Sequence, residues 1–263
     1  MEKYAYITVI NDEKYLPGVL SLNEKLTKHC EYKLYVVISD DCSDDLKKIF
    51  DDLKINTIIK HNYCMDFENS NMSYWGKTLF KLRVFELDMF SKIVLIDGDM
   101  LVCGCLDPLF EKIDFSAVAD EKTICNGENL VGFNSGLMVI DPAKHSLKKI
   151  IDFVNSVDRK IYGDQDILNA YYPNWGGEQE LSNIYNIFGF RSEFAMDADN
   201  IKVAHFIGPI KPWEWSKLKF SFEIFKLWVR RKNISLNMLW EYRKSVMYWQ
   251  KYINKYKKSR ISS

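Results

Sequence analysis

The chain has 263 residues, of which 47% are hydrophobic, so it can bury one sizeable core, and an α/β unit of this length is commonly a single domain. Its 36 basic and 36 acidic residues balance at pH 7, which argues against a uniformly basic nucleic-acid-binding protein. No apolar run reaches the roughly 18 residues of a membrane-spanning helix. The first residues also lack the basic head and apolar centre of a signal peptide, so we expect a cytoplasmic protein.

Charge is unevenly distributed along the chain. The segment 226–260 contains eleven Lys or Arg residues and one acidic residue, Glu241, so it carries a formal charge of +10 and the rest of the chain carries −10. Tryptophans and tyrosines alternate with the basic residues in this segment. Two interpretations stay open: a helix that lies on an anionic membrane surface, or a helical hairpin whose aromatic side chains pack on the main domain.

The N-terminal part of the sequence predicts alternating strands and helices. A helix capped by Asn11 or Asp12 is predicted to run to about His29, and a second helix is predicted to begin at Ser43. The turn after the first strand has no glycine-rich phosphate loop, which argues against dinucleotide-binding and P-loop proteins. Three runs rich in β-branched and aromatic residues predict the strands 4–10, 34–38 and 55–59.

A long connection follows the third strand. The segment 62–75 is polar and predicts a loop, and loops of this length in compact domains are often functional. Residues 76–90 predict a helix whose apolar positions are spread around its circumference. Lys81 lies in this helix, and the periodicity alone indicates a solvated charge.

The apolar run 93–96 predicts a strand that is buried on both faces, and Asp97 and Asp99 follow at its end. Two carboxylates this close repel each other and are costly to bury without a compensating positive charge. Gly98 is expected to adopt a positive φ, so that both carboxylates reach one ion. Oxygen ligands favour Mg²⁺ or Mn²⁺, which leave coordination positions to substrate phosphates, so a nucleoside diphosphate is the expected second ligand. A simple turn is the alternative interpretation.

Further elements are predicted between this motif and residue 140. A short helix is expected to begin at Asp107, and the strand 115–119 is expected to end at Asp120. Residues 132–136 combine glycines with amide and hydroxyl side chains just before the strand 137–140. These side chains either hydrogen-bond a polyhydroxylated ligand or form a plain turn.

The next part of the sequence predicts two helices and a strand. One helix begins after Asp141 and another lies at 163–169, where Asp164 has the position of an N-cap. The strand 201–206 carries His205 near its end. A histidine in this position is usually structural, but it becomes a candidate ligand because two carboxylates elsewhere need a third partner on their metal.

The cysteines do not indicate a zinc site by their spacing. Cys103, Gly104 and Cys105 lie beside the acidic pair, and we interpret the two thiols as core-filling side chains rather than metal ligands. The pattern predicts reduced, mostly buried thiols. The six cysteines lie at positions 30, 42, 64, 103, 105 and 125.

Six motifs occur in the order and approximate spacing seen in glycosyltransferase family 8, and the chain resembles the glycogenin-like members of that family. The resemblance covers residues 4 to about 213, which implies a catalytic domain over 1–213 and a basic, aromatic, helical extension over 214–263. The motifs lie at residues 8–15, 78–82, 94–99, 133–136, 163–169 and 205–213.

This resemblance implies an α/β GT-A fold, with a Rossmann-like mixed central sheet flanked by helices. The implied activity is the retaining transfer of a hexose, in the first place glucose, from a UDP-sugar to a protein or glycan acceptor with Mn²⁺ or Mg²⁺. Transfer from UDP-galactose to a glycan or lipid-linked acceptor and non-catalytic UDP-sugar binding are the alternatives. A nucleotidyltransferase is disfavoured by the missing glycine-rich loop. A homodimer is a further expected association, and no nucleic-acid partner is expected.

The resemblance also implies roles for individual residues. The implied metal ligands are Asp97, Asp99 and His205. The implied cofactor-binding residues are Thr8, Val9, Asn11 and Tyr15 near the uridine, Lys81, Gly208 and Lys211 near the diphosphate, Gly98 between the carboxylates, and Asp120, Asn134 and Ser135 near the sugar.

Asp164, Gln165 and Lys211 are the implied catalytic residues. Lys211 would stabilise the charge on the departing UDP together with the metal, and Asp164 or Gln165 would face the sugar. The resemblance leaves open whether retention proceeds by front-face return of the acceptor or by double displacement. The loop 62–75 and the segment around Gly208 are the expected closing elements that exclude water.

One departure separates this chain from the glycogenin-like enzymes, in which a tyrosine after an Ile-Tyr-Asn segment accepts the first glucose. Here Ile184, Tyr185 and Asn186 are present, but no tyrosine lies between Tyr185 and His205. We therefore expect no self-glucosylation at the corresponding position.

Incubation with UDP-glucose should leave the intact mass of the protein unchanged, because the expected acceptor hydroxyl is missing. Mass spectrometry of the whole chain tests this directly. A ladder of hexose increments would contradict the expectation.

Overall fold

A computed structural model describes residues 3–62, 75–120, 124–125, 128–129, 132–156, 163–188, 200–208, 211–216, 218–222 and 236–261. The strands are β1 (Tyr4–Ile10), β2 (Leu34–Ser39), β3 (Asn56–Lys60), β4 (Lys92–Ile96), β5 (Met100–Val102), β6 (Ser116–Asp120), β7 (Ile124–Cys125), β8 (Glu128–Asn129), β9 (Gly132–Ile140), β10 (Glu180–Leu181), β11 (Ile187–Phe188) and β12 (Val203–His205). The α-helices are α1 (Leu16–His29), α2 (Asp44–Asp52), α3 (Leu147–Ser156), α4 (Asp164–Tyr171) and α5 (Leu236–Ile261).

Seven strands form a mixed sheet in the order β10-β6-β9-β4-β1-β2-β3. β4 lies in its centre, parallel to β1 and antiparallel to β9. Alternate side chains of β4 enter two separate cores: Val94 and Ile96 pack with α1, while Ile93 and Leu95 pack with α3. The predicted α/β class and the doubly buried strand 93–96 are both confirmed.

Local capping explains where the first helices begin. The Asp12 carboxylate accepts a hydrogen bond from the Lys14 amide at 3.1 Å and caps the 3-10 turn Glu13–Tyr15, from which α1 continues. The Ser43 hydroxyl accepts from the Leu46 amide at 3.2 Å and caps α2. Asp12 therefore caps as predicted, although it caps the 3-10 turn and not α1 itself, whose N-cap is Tyr15. The second helix begins at Asp44, next to the predicted Ser43, because the Ser43 oxygen satisfies an amide that the helix cannot.

The structure differs from the sequence prediction in two elements. The predicted helix 76–90 is a 3-10 helix over Trp75–Glu86. The consecutive side chains 79–85 are all buried, so this part of the helix lacks the exposed polar face of an amphipathic α-helix. The segment 132–136 belongs to β9 and not to a turn, because its backbone pairs with β6. Residues 63–74, which contain most of the predicted closing loop, lie outside the described residues.

A smaller sheet brings the predicted histidine to the acidic motif. Its three strands have the order β11-β12-β5, and the antiparallel register of β12 and β5 places His205 opposite Met100. The Phe206 amide also donates to the Asp99 carbonyl at 3.1 Å. β5, the strand that follows Asp99, therefore pairs with β12 and sets the position of His205.

The C-terminal helix α5 packs against α1. The hydroxyls of Ser21 and Ser245 are 2.8 Å apart, and Ser245 donates in turn to Glu24 at 2.8 Å. The Tyr242 ring stacks on the ring of Phe206, the residue that follows His205, with the two centroids 4.8 Å apart. Aromatic packing of α5 on the rest of the protein therefore agrees with the second interpretation of this segment. The hairpin in that interpretation stays a prediction, since the structure describes one helix here and residues 223–235 lie outside the described residues. A membrane contact through its other face and a domain boundary after residue 213 stay predictions.

The part of the chain that the structure describes holds no helix both long enough and apolar enough to cross a membrane.

Replacing Tyr242 by alanine should lower the free energy of unfolding by about 3–5 kcal/mol, because a buried aromatic side chain is lost and a cavity remains. Tyr248→Ala is the matched control on the same helix, since Tyr248 is 61% exposed, and it should change stability by no more than about 0.5 kcal/mol. Denaturant unfolding of both variants measures the difference. Equal effects would show that α5 does not pack through Tyr242.

Candidate active site

The acidic motif forms the turn between β4 and β5. The Asp97 amide donates to the Gly136 carbonyl at 2.8 Å, and the Met100 amide donates to the Asp97 carbonyl at 3.1 Å. Gly98 does not have the positive φ that we expected. Its side of the turn is instead crowded, because an added Cβ would lie 2.9 Å from Val19 of α1. Close packing, and not backbone freedom, is therefore what requires glycine here.

The two carboxylates and His205 converge on one point. Ligand atoms of Asp97, Asp99 and His205 all lie within 4.8 Å of one another. The His205 Nε2 atom is 3.4 Å from Asp99 Oδ1. Carboxylate oxygens with one imidazole nitrogen are a donor set that suits Mn²⁺. The three side chains can therefore hold a divalent cation.

Asn186 orients this histidine. Its side-chain oxygen lies 3.0 Å from His205 Nδ1 and accepts the proton there, which leaves Nε2 as a lone-pair donor on the Asp99 side. The Asn186 amide nitrogen donates to Asn134 at 2.7 Å, so the orienting group is itself fixed. The sequence motifs do not assign Asn186 to the site. No spacing pattern links it to His205, and the two meet because β11 pairs with β12.

Two lysines lie against the carboxylates. Lys81 Nζ is 2.8 Å from Asp97 Oδ1 and 3.1 Å from Asp164 Oδ2. Lys211 Nζ is 2.5 Å from Asp99 Oδ2 and also donates to the Phe206 carbonyl at 3.2 Å. The solvated charge that periodicity indicated for Lys81 is therefore wrong, because this side chain is buried between two carboxylates.

These contacts separate the acidities of the two carboxyl groups. Burial raises the pKa of Asp97 above its ordinary value, and Lys81 opposes this shift only in part. Burial acts in the same direction on Asp99, but the contacts with His205 and Lys211 outweigh it and hold the pKa of Asp99 below its usual range. For Lys81, burial favours the neutral amine, yet Asp164 and Asp97 outweigh burial and raise its pKa.

A hydrogen-bonded group of side chains lies beyond the lysine. Asp164 Oδ2 accepts from the Ser135 hydroxyl at 2.8 Å. Gln165 accepts from the Asn134 side chain at 3.0 Å and donates to Asp120 at 3.2 Å. Gly163 occupies the N-cap position of α4 and Asp164 is the first helical residue, so the interpretation of Asp164 as a plain cap is wrong.

The carboxylates, lysines and amides surround a cleft of about 930 Å³. Two predicted cofactor-binding residues, Thr8 and Asp120, do not line the cleft. The Thr8 side chain is fully buried, and Asp120 accepts a hydrogen bond from Gln165, which does line it. Gly208, with a φ of +118°, lines the cleft, but its predicted closing motion is untested. The predicted residues that line the cleft are Val9, Asn11, Tyr15, Lys81, Asp97, Gly98, Asp99, Asn134, Ser135, Asp164, Gln165, His205, Gly208 and Lys211.

Solved structures with the same architecture are GT-A glycosyltransferases. The galactosyltransferase LgtC in complex with donor and acceptor sugar analogues matches with a TM-score of 0.63 and 19% identity, over 83% of this chain and 94% of that one. The apo form of the glycosyltransferase GlyE from Streptococcus pneumoniae TIGR4 matches with a TM-score of 0.61 and 20% identity, over 98% of this chain and 64% of that one. The predicted GT-A fold is confirmed.

The sequence assigns the family. Residues 6–216 match the family described as glycosyl transferase family 8, and the chain belongs to this family. Glycogenin-1 of Caenorhabditis elegans is 29% identical over an alignment of 250 residues that covers 89% of this chain and 56% of that protein. Inositol phosphorylceramide glucuronosyltransferase 1 of Arabidopsis thaliana is 26% identical over an alignment of 245 residues that covers 81% of this chain and 43% of that protein. The predicted glycogenin-like resemblance is confirmed, and this chain spans about half the length of these two relatives.

Asn186→Ala should weaken Mn²⁺ binding by about 10–100-fold, since His205 loses the group that fixes its ring and tautomer. Calorimetric titration with Mn²⁺ measures this without turnover. Asn183→Ala, three positions earlier and only partly buried, is the matched control and should bind Mn²⁺ like the unmodified protein. Equal Mn²⁺ affinity in both variants would contradict the orienting role of Asn186.

Proposed function

We propose that this protein transfers a hexose, in the first place glucose, from a UDP-sugar to a protein or glycan acceptor with retention, using Mn²⁺. The observation that carries the proposal is the convergence of Asp97, Asp99 and His205 at the edge of a large cleft, with Lys211 beside them. A hard cation with a neighbouring ammonium group is the arrangement that binds and stabilises a diphosphate leaving group.

The residues of the cleft have distinct tasks in this reaction. Asp97, Asp99 and His205 would hold the ion, which supplies Lewis-acid stabilisation of the negative charge that develops on UDP. Lys211 adds a fixed positive charge at the same point, because its ammonium group already lies 2.5 Å from Asp99. Lys81 holds the Asp164 carboxylate in position at 3.1 Å, on the side where the sugar would lie.

The polar groups near Asp164 favour a neutral sugar over a uronic acid. Asn134, Ser135, Gln165 and Asp164 can hydrogen-bond hydroxyl groups, and none of them carries a positive charge. Lys81, the cation nearest to them, contacts two carboxylates. A carboxylate on the donor sugar would lie beside the Asp164 carboxylate and would compete with it and with Asp97 for Lys81. Glucose or galactose therefore fits this surface better than glucuronic acid.

UDP release should be observed with Mn²⁺ and UDP-glucose, and EDTA should abolish it. Asp99→Asn should reduce the rate by about 100-fold or more, because removing a ligand charge removes several kcal/mol of leaving-group stabilisation. Asp44→Asn is the matched control, since the Asp44 side chain is 98% exposed on α2. A panel of UDP-sugars measured in the same way identifies the donor.

Each result of this panel has a definite meaning. Release from UDP-galactose alone would change the donor assignment and keep the mechanism. Release that is unaffected by EDTA and by Asp99→Asn would overturn the metal-dependent mechanism. Calorimetric UDP binding without turnover of any donor, tested with glycan and protein acceptors, would indicate a sugar-nucleotide-binding protein.

A further inference from the structure

A second group of potential metal ligands lies away from the cleft. Cys30 follows the last turn of α1, and Cys105 and Asp107 lie in the segment that leaves β5. The two sulfur atoms and a carboxylate oxygen of Asp107 all lie within 4.8 Å of one another. We call these three residues the thiol cluster. The spacing of the cysteines along the chain gave no sign of it, because Cys30 and Cys105 are far apart in sequence.

Hydrogen bonds position the carboxylate of the thiol cluster. The buried Tyr6 hydroxyl donates to Asp107 Oδ1 at 2.7 Å, and the Glu31 amide donates to Oδ2 at 2.9 Å. Cys105 donates its thiol hydrogen to the same Oδ2 atom at 3.3 Å. Asp107 is therefore fixed from the protein side by Tyr6 and Glu31, as the carboxylate ligands of metals commonly are.

Cys30 is also prepared to act as an electron-pair donor. The Leu106 amide donates a hydrogen bond to Cys30 Sγ over 3.3 Å, so the sulfur accepts rather than donates in this contact. Cys105 is exposed, so its interpretation as a core-filling thiol is wrong. Its side chain can rotate, and a solvent molecule can complete the coordination. Two thiols and one carboxylate with an open fourth position form a three-ligand set of the kind that zinc accepts.

One distance within the thiol cluster suits a tetrahedral ion, and the other two lie below 4.8 Å. Zinc bonds of about 2.3 Å to sulfur and about 2.0 Å to oxygen place neighbouring sulfur and oxygen ligands about 3.5 Å apart. The distance between Cys105 Sγ and Asp107 Oδ2 is 3.3 Å, close to this value. A disulfide would use only the two sulfur atoms and would leave Asp107 to its hydrogen bonds with Tyr6 and Glu31.

We propose that Cys30, Cys105 and Asp107 form a second metal site, selective for a thiophilic divalent ion, in the first place zinc. On binding, both thiols release their protons to solvent, the two thiolates and the carboxylate donate electron pairs, and no redox change occurs. The Asp97, Asp99 and His205 group has oxygen and nitrogen donors and suits a harder ion, so the two sites differ in metal preference.

The site would join two segments that position the candidate active site. Cys30 ends α1, which packs on Gly98 through Val19. Cys105 follows β5, which begins directly after Asp99. An ion held between them would fix the end of α1 to the strand that leaves the acidic turn. The proposed role is therefore structural support of that turn.

Titration of the reduced full-length protein with Cd²⁺ tests the proposal, because cadmium–thiolate bonds give an ultraviolet charge-transfer band that oxygen ligands do not. The band should saturate with tight stoichiometric binding and should be displaced by Zn²⁺. Cys105→Ser and Cys30→Ser should each lose most of this band. Cys42→Ser, which removes a partly buried thiol elsewhere, should keep it.

A second variant separates metal binding from a purely structural role of the thiols. Tyr6→Phe keeps both cysteines and the ring but removes the hydroxyl that donates to Asp107, and it should weaken Cd²⁺ binding by about 10–100-fold. Cys105 is exposed, so Cys105→Ser should fold normally, which circular dichroism checks. A band of equal strength in Cys105→Ser and Cys42→Ser would overturn the proposal. Formation of a Cys30–Cys105 disulfide by mild oxidant, with no cadmium band in the reduced protein, would also overturn it.

Discussion

Asp97 and Asp99 occupy one tight turn at the end of the central strand, and their mutual repulsion is the constraint around which the cleft is arranged. Asp99 is buried, and the pair could not remain charged at this position without cations. Lys211 contacts one carboxylate and Lys81 the other, and both lysines are themselves buried. A divalent ion would add to this compensation. The lysines that we propose to face a diphosphate thus also allow the turn to exist.

The two sheets connect this turn to the rest of the molecule. β4 delivers Asp97 from the centre of the large sheet, and β5 carries the chain away from Asp99 into the small sheet. Because β5 pairs with β12, the same strand that leaves the carboxylates aligns His205. α5 packs on α1 and on Phe206, the residue that follows β12, and so supports the end of that strand. Candidate metal ligands from distant parts of the sequence are in this way held on rigid elements.

Local patterns predicted the parts of the fold whose causes are local. The apolar run 93–96 is buried on both faces as expected, and Ser43 and Asp12 cap where their side chains can satisfy an amide. Prediction failed where neighbours distant in sequence determine the outcome. Lys81 looked solvated because its carboxylate partners lie on other elements. Gly98 was explained by backbone freedom, whereas contact with α1 is the reason for it.

The sequence by itself determined the family, the GT-A fold and the residue types of the candidate site for a hard metal ion, because motifs in a recognisable order along the chain carry them. Only the tertiary structure showed that Asn186 orients His205 and that Cys30 meets Cys105 and Asp107. Both groupings arise from strand register and helix packing, which bring together residues with no characteristic spacing. Which side chains interact depends on their distance in the folded protein, and this distance cannot be read from their separation along the chain.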